Sequence, residues 1–335
     1  MRFTREQIEA LLSDQATPIT FYTAGALEMS RDRLGDLLDW WLVLRAVLDD
    51  RDLYTPGSID FRAADGAPLD LHRSFDPDED VAVMSHFLHE AGYLHIRGLF
   101  ESSLMEEVSA DIDRSIGEYS DGDGRSWWAT TRGGERRAVR LQSFDRHSSA
   151  AASILGDPRF LRIGDLPGDD HVHTGLEGNL IEALIKPIGV VEGISDLPWH
   201  KDCSLGRHSY ECCSMTVGIS VTGADATSGQ LRVRAGSHRA LVWPAIVPPG
   251  KYDLPDVELP TQAGDVTVHL SCLLHMSQPP VERERRVMYT SFRLPPGDAA
   301  AAARARASLR AVREGAHRVV SQPPARGDAN RRGSS

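Results

Sequence analysis

At 335 residues the chain is long enough for one large domain or two small ones, and its 41% hydrophobic content is ordinary for a globular core. A formal net charge of −11 excludes nucleic acid as the main partner, because phosphate binding needs a basic face. Four cysteines, none in a Cys-x-x-Cys pair, exclude a zinc ribbon or a disulfide framework.

The start, Met1-Arg2-Phe3-Thr4-Arg5-Glu6, is polar and lacks the apolar stretch of a signal peptide. No apolar run along the chain approaches the roughly 20 residues of a membrane helix. The expectation is a cytoplasmic protein with reduced thiols and no membrane partner. Residues 1–80 read as a helical extension. Thr4 with Glu6-Gln7 starts a short helix, and Ser30-Arg31-Asp32-Arg33 starts a longer one. In the second, Leu34, Leu37, Leu38, Trp41, Leu44 and Leu48 fall at helical spacing, which suits packing on the core. A homodimer interface is the alternative, since Trp40 beside Trp41 is generous for a small surface helix. A linker rich in Asp, Pro and Ala follows around Asp60–Glu79.

Residues 82–115 read as helix, strand and helix, and a polar, Arg-dense passage runs from Asp121 to His147. From Asn179 the text is strand-like: Met215–Val221, Leu231–Val233, Val266–Leu270 and Val287–Phe292 are rich in β-branched residues and separated by Gly, Asp and Pro. Adjacent Cys212-Cys213 sit in an expected strand and read as buried free thiols. The main domain spans 81–295; 296–322 suits a peripheral helix, and 323–335 is expected to be disordered.

One stretch carries chemistry. His200 and Asp202, in Pro198-Trp199-His200-Lys201-Asp202, are two apart, so on an extended strand both project from one face. With a distant second His they form a 2-His-1-carboxylate facial triad, which leaves three positions open on a ferrous ion. A His-x-Asp pair by itself is weak evidence, because thirteen histidines with acids nearby give about one by chance. The surroundings decide.

His86-Phe87-Leu88-His89-Glu90-Ala91-Gly92-Tyr93-Leu94 with Gly98-Leu99-Phe100, then Lys186-Pro187, then Pro198–Asp202, follow one another in order. Ser228–Val233 with Gly236-Ser237-His238-Arg239, Ala263–Val266 leading into Leu273–Pro279, and Arg285-Arg286 complete the series. Over roughly residues 82–294 the chain resembles the phytanoyl-CoA dioxygenase family of non-haem iron oxygenases. The resemblance implies a mainly β fold with flanking helices, built on a double-stranded β-helix or cupin-like jelly-roll of eight strands.

It also implies Fe(II), 2-oxoglutarate and O2 as cofactor and co-substrates. His200, Asp202 and His275 would be the metal ligands and catalytic centre. His275 is preferred to His269 because only His275 has Ser at plus two, Pro at plus four and an arginine, Arg286, eleven residues on. His269 then reads as a buried strand residue and His238 as part of a structural turn. Arg286 would hold the far carboxylate of 2-oxoglutarate in a bidentate grip, with Ser277 and Lys186 beside it. Strand alternation places Arg286 and Arg285 on opposite faces.

In this family the region equivalent to 121–147 often covers the active-site mouth. Arg137, Arg140, Trp128 and, beyond the triad, His208 are therefore the candidate substrate contacts. The arginines suggest an anionic group, against the alternative of a solvated loop paired with nearby acids. Keeping Asp202 argues against halogenation, for which related enzymes carry a small residue there. The expected reaction is hydroxylation of an unactivated C–H bond of a small molecule, with 2-oxoglutarate decarboxylated to succinate and CO2. Desaturation, epimerisation or cyclisation at the same site is one alternative, and a non-catalytic binding protein with a vestigial metal site is another.

Overall fold

The computed structural model describes residues 2–27, 33–173, 179–193, 196–205 and 214–295. His208, Cys212-Cys213, the Ser30–Asp32 helix start and both segments beyond 295 lie outside the described residues.

Local chemistry sets the helices. α1 (Arg5–Leu12) begins with a capping box: the Gln7 amide donates to the Thr4 hydroxyl, and the Thr4 amide donates to the Gln7 side chain. After α2 (Pro18–Thr23), α3 (Leu34–Asp49) buries Leu37, Leu38, Trp41, Leu42 and Arg45. The buried stripe is rotated from the expected one: Leu48 is exposed, and Arg45 is buried because its guanidinium caps the Leu11 and Leu12 carbonyls at the end of α1. α3 packs through Trp41 on Leu241, Trp243 and Ala245. Its opposite stripe, Trp40, Val43 and Val47, faces outward, with Trp40 54% exposed.

The expected helix, strand and helix of 82–115 are α4 (Val81–Ala91), β1 (Tyr93–Ile96) and α5 (Ser102–Ser115). Further on come β2 (Ser126–Thr131), β3 (Arg136–Leu141), α6 (Ser149–Ile154), α7 (Pro158–Leu161), β4 (Val172–His173), β5 (Glu182–Lys186) and β6 (Val190–Glu192). The remaining strands are β7 (Ser214–Ser220), β8 (Leu231–Arg234), β9 (Asp256–Leu259), β10 (Val266–Leu270), β11 (His275–Ser277) and β12 (Arg285–Arg293).

Among the described residues nine strands form one antiparallel sheet, ordered β1-β10-β7-β12-β5-β3-β2-β6 with β4 also on β12; β11-β8-β9 form a second. The two sheets face each other: Leu231 and Leu259 of the small sheet and Gly218, Ser220, Thr267, Arg285 and Val287 of the large one line the same small cavity. This is the jelly-roll. Because side chains alternate along a strand and residues opposite in register share a face, the large sheet has two characters. Met215, Val217, Ile219, Val268, Met288 and Phe292 join the main apolar core with α4 and α5 residues. The intervening residues turn inward, toward the small sheet.

Candidate active site

His200 and His275 meet as an isolated antiparallel bridge that extends the small sheet. The His200 amide donates to the His275 carbonyl (3.1 Å), and the His275 amide donates to the His200 carbonyl (3.0 Å). Alternation sends Trp199 the other way, into a cluster with Met276 and Leu274. On its other side His200 bridges Ala245, so the segment that α3 covers also backs this ligand.

Each histidine is oriented by its own chain. Nδ1 of His200 lies 2.7 Å from the Pro198 carbonyl and Nδ1 of His275 lies 3.0 Å from that of Leu273, so each Nδ1–H donates and Nε2 keeps its lone pair. Both Nε2 atoms point at Oδ1 of Asp202, at 3.5 and 3.6 Å. The three ligand atoms lie within 4.8 Å of one another. Asp202 is not on an extended strand, as the His-x-Asp spacing suggested; it opens a single 3-10 turn, Asp202–Leu205. Thr216, on the inward face of β7, donates to Asp202 Oδ2 at 2.8 Å.

Electrostatics leave the set ready for a cation. Burial, reinforced by the neighbouring His269 and His200 rings, pushes His275 well below the usual histidine range. Burial pushes Asp202 upward, but the His275, His200 and His269 rings outweigh it and hold the carboxyl well below the usual range. Two imidazoles and one carboxylate, their ligand atoms converged, fit Fe(II).

The Gly-Ser-His turn braces both ligand segments. The Leu274 amide donates to the Ser237 hydroxyl (2.8 Å), and Lys201, fully buried between His200 and Asp202, donates to the Ser237 carbonyl (3.0 Å). His238 donates from Nε2 to the His89 carbonyl (2.8 Å), with burial pushing its pKa down to about 3. Gly92 is required here: it sits at φ +90°, and a Cβ would lie 2.5 Å from the His238 ring.

Lys186 is buried and bonds Asp196 (3.0 Å) and the Ser277 hydroxyl. Burial pushes its pKa down to about 8, against the pull of Asp196. Arg286 does not join it. Opposite Ile185 in the register, it lies on the outward face, where its guanidinium bonds Ser109 and Asp113 of α5 and Glu284. Arg285, opposite Lys186, is the inward arginine: it is buried, donates to the Gly229 carbonyl, and reaches the Tyr289 hydroxyl at 3.3 Å. The assignment of Arg286 is thereby corrected. A one-residue step along a strand reverses the face, and the apolar Met288 and Phe292 commit the even-numbered residues to the helical layer.

The arginines of the Arg-dense passage are paired with nearby acids, as the alternative reading expected. The passage contains the β2–β3 hairpin, which extends the large sheet beyond β5. Arg137 pairs with Glu284 (2.8 Å), Arg140 with Glu182, and Arg136 with Asp121 (2.5 Å). Trp128 bonds Ser126 through Nε1 (2.9 Å) and packs on the main core, away from the ligands. The register slips by one residue here, Val139 of β3 being the extra residue, and Trp127, opposite Arg140, is the inward indole, with the guanidinium 4.5 Å from its ring centre. Thr216 reaches Asp202, Asp196 reaches Lys186, and Arg285 reaches Tyr289, none of them among the expected site residues. Strand alternation carried a signal for Arg285 and Tyr289; nothing in the sequence pointed to Thr216 or Asp196.

Residues 88–287 match the family model described as phytanoyl-CoA dioxygenase. The chain belongs to the phytanoyl-CoA dioxygenase family. It is accordingly a 2-oxoglutarate-dependent non-haem iron enzyme, using Fe(II), 2-oxoglutarate and O2 on small-molecule substrates. No curated protein matches the chain in sequence. Among solved structures, AviO1 from Streptomyces viridochromogenes Tue57 is similar at 19% identity and TM-score 0.50, over 64% of this chain and 96% of its own. EvdMO1 is similar at 20% identity and TM-score 0.51, over 64% of this chain and 50% of its own. The epimerase SnoN is similar at 17% identity and TM-score 0.50, over 66% and 86%. At these identities the likeness concerns the fold, and it is the jelly-roll of this phytanoyl-CoA dioxygenase family member that they share. Among the described residues no helix is long and apolar enough to cross a membrane.

Proposed function

We propose that the enzyme hydroxylates an unactivated C–H bond of a small molecule, with His200, Asp202 and His275 holding Fe(II). The convergence of two carbonyl-anchored imidazoles on one oxygen of Asp202 carries this reading. When bound, the iron supplies oxidation by O2 coupled to conversion of 2-oxoglutarate into succinate and CO2. The chain's own residues place the reactants. The far carboxylate of 2-oxoglutarate is taken by Lys186, Ser277 and Arg285, with the Tyr289 hydroxyl beside Arg285, in a buried site where charge-assisted bonds are strongest.

The substrate lies along the inward face of β5, β3 and β2, against Trp127 and the Arg140–Glu182 pair. Because Arg136, Arg137 and Arg140 each already face an acid, a neutral polar substrate with a planar or apolar part suits this face better than an anion. A vestigial binding protein would have no reason to keep three ligand atoms converged and a buried cationic partner for a carboxylate.

Anaerobic titration of Fe(II) and 2-oxoglutarate tests the assignment. A visible charge-transfer band that needs both components and is absent in Asp202→Ala is the expected result; a folded, iron-loaded protein without the band would overturn it. Epimerisation is the second reading, since SnoN is described as a non-heme alpha ketoglutarate dependent epimerase. Turnover under 18O-labelled O2 separates the two, because hydroxylation adds labelled oxygen to the product and epimerisation leaves its mass unchanged.

A further inference from the structure

His269 lies on β10 opposite Thr216, is 1% exposed, and packs against His275 with ring centres 4.2 Å apart and ring planes inclined at 47°. Its Nε2 is 3.6 Å from Oδ2 of Asp202, just beyond hydrogen-bond distance. Neither of its ring nitrogens has a hydrogen-bond partner, a rare state for a buried imidazole. The two ligand histidines differ: each has Nδ1 fastened to a backbone carbonyl. Without that anchor, and outside the cluster of three ligand atoms, His269 is not built as a fourth ligand.

The two oxygens of Asp202 are treated differently. Oδ1 faces Nε2 of His200 and of His275. Oδ2 accepts the Thr216 hydroxyl and faces His269. We propose that His269 is a positioning residue, donating Nε2–H to Oδ2 of Asp202 so that Thr216 and His269 together occupy that oxygen. Asp202 then offers only Oδ1 to the metal, and a carboxylate held to one oxygen leaves the coordination positions that co-substrate and O2 require. This rests on the reading of His200, Asp202 and His275 as the ligands.

The test is Co(II) titration of the full chain, followed by affinity and by the visible d–d spectrum, in wild type, Asp202→Ala, His269→Phe and His269→Gln. Phe keeps a ring against His275 without a donor, and Gln restores a donor. The expected result is a 10- to 100-fold weaker Co(II) affinity and a weaker d–d band in His269→Phe, from carboxylate binding through both oxygens, with both largely restored in His269→Gln. Wild-type affinity and band in His269→Phe, or equal loss in Phe and Gln variants, would overturn the proposal while leaving the ligand set standing. Unchanged binding in Asp202→Ala would instead overturn the ligand reading itself. His269→Met, of similar size and without a donor, replaces the Phe variant if that one does not fold, with the same two outcomes.

Discussion

The outward face of the large sheet carries Met215, Val217, Ile219, Val268, Met288 and Phe292, buried against helices. One residue along the same strands, the inward face carries Thr216, His269, Tyr289 and Arg285, with Lys186 from β5. Both faces are largely buried, so exposure does not distinguish them. What differs is polarity. The outward face gains stability from apolar area removed from water, and the inward face accepts desolvated polar groups because each is answered by a partner or by what the site binds. In a jelly-roll, stability and chemistry therefore sit back to back on one set of strands.

Substitutions that exchange the two roles test this division. The largest effect is expected from Asp202→Ala, whose loss of Fe(II) affinity by titration should exceed the roughly 10–100-fold cost of removing an outer partner of a ligand. Succinate formation should fall below detection.

The two adjacent arginines come next. Arg285→Ala should raise the KM for 2-oxoglutarate about 10- to 100-fold, the worth of a charge-assisted hydrogen bond, measured by succinate release. Arg286→Ala should leave that KM alone and cost about 1 kcal/mol of stability, since its ion pairs with Asp113 and Glu284 are partly open to solvent. The reverse pattern would return the co-substrate role to Arg286.

The paired tryptophans sharpen the same point. Trp128→Ala should cost about 2 kcal/mol by chemical denaturation, below the range for a fully buried indole because Trp128 is partly buried. Trp127→Ala should cost less stability and act mainly on the KM for the organic substrate.

The smallest effect is one of pH. Lys186 is cationic below about 8 and neutral above, so kcat/KM for 2-oxoglutarate should decline as pH rises through about 8, by at most tenfold per pH unit. In Lys186→Arg, which stays charged, the decline should shift beyond the measured range. A profile unmoved by that substitution would remove Lys186 from the carboxylate site.

Much of this was legible beforehand, for identifiable reasons. The helix start at Thr4 and the strands of 215–221 and 266–270 follow from local pattern and spacing, whereas the preference for His275 over His269 came from the family resemblance. The β2–β3 hairpin of the Arg-dense passage was not legible, because its period-2 signal is masked by charge and broken by the extra residue at Val139. The face of Arg286 was not legible, because alternation shows only that Arg285 and Arg286 face opposite ways, and it is the packing of Met288 and Phe292 on the helices that turns Arg286 outward.

The sequence by itself determined the chemistry: the residue types of the facial triad, their order, and a chain long enough to fold a jelly-roll around them. Only the tertiary structure decided which of two adjacent arginines, and which of two adjacent tryptophans, turns inward. It alone brought Thr216 and His269 onto Asp202. The physical reason is the two-residue period of a β-strand: neighbours face opposite ways, and which way is inward depends on the partner strand and on any bulge between them.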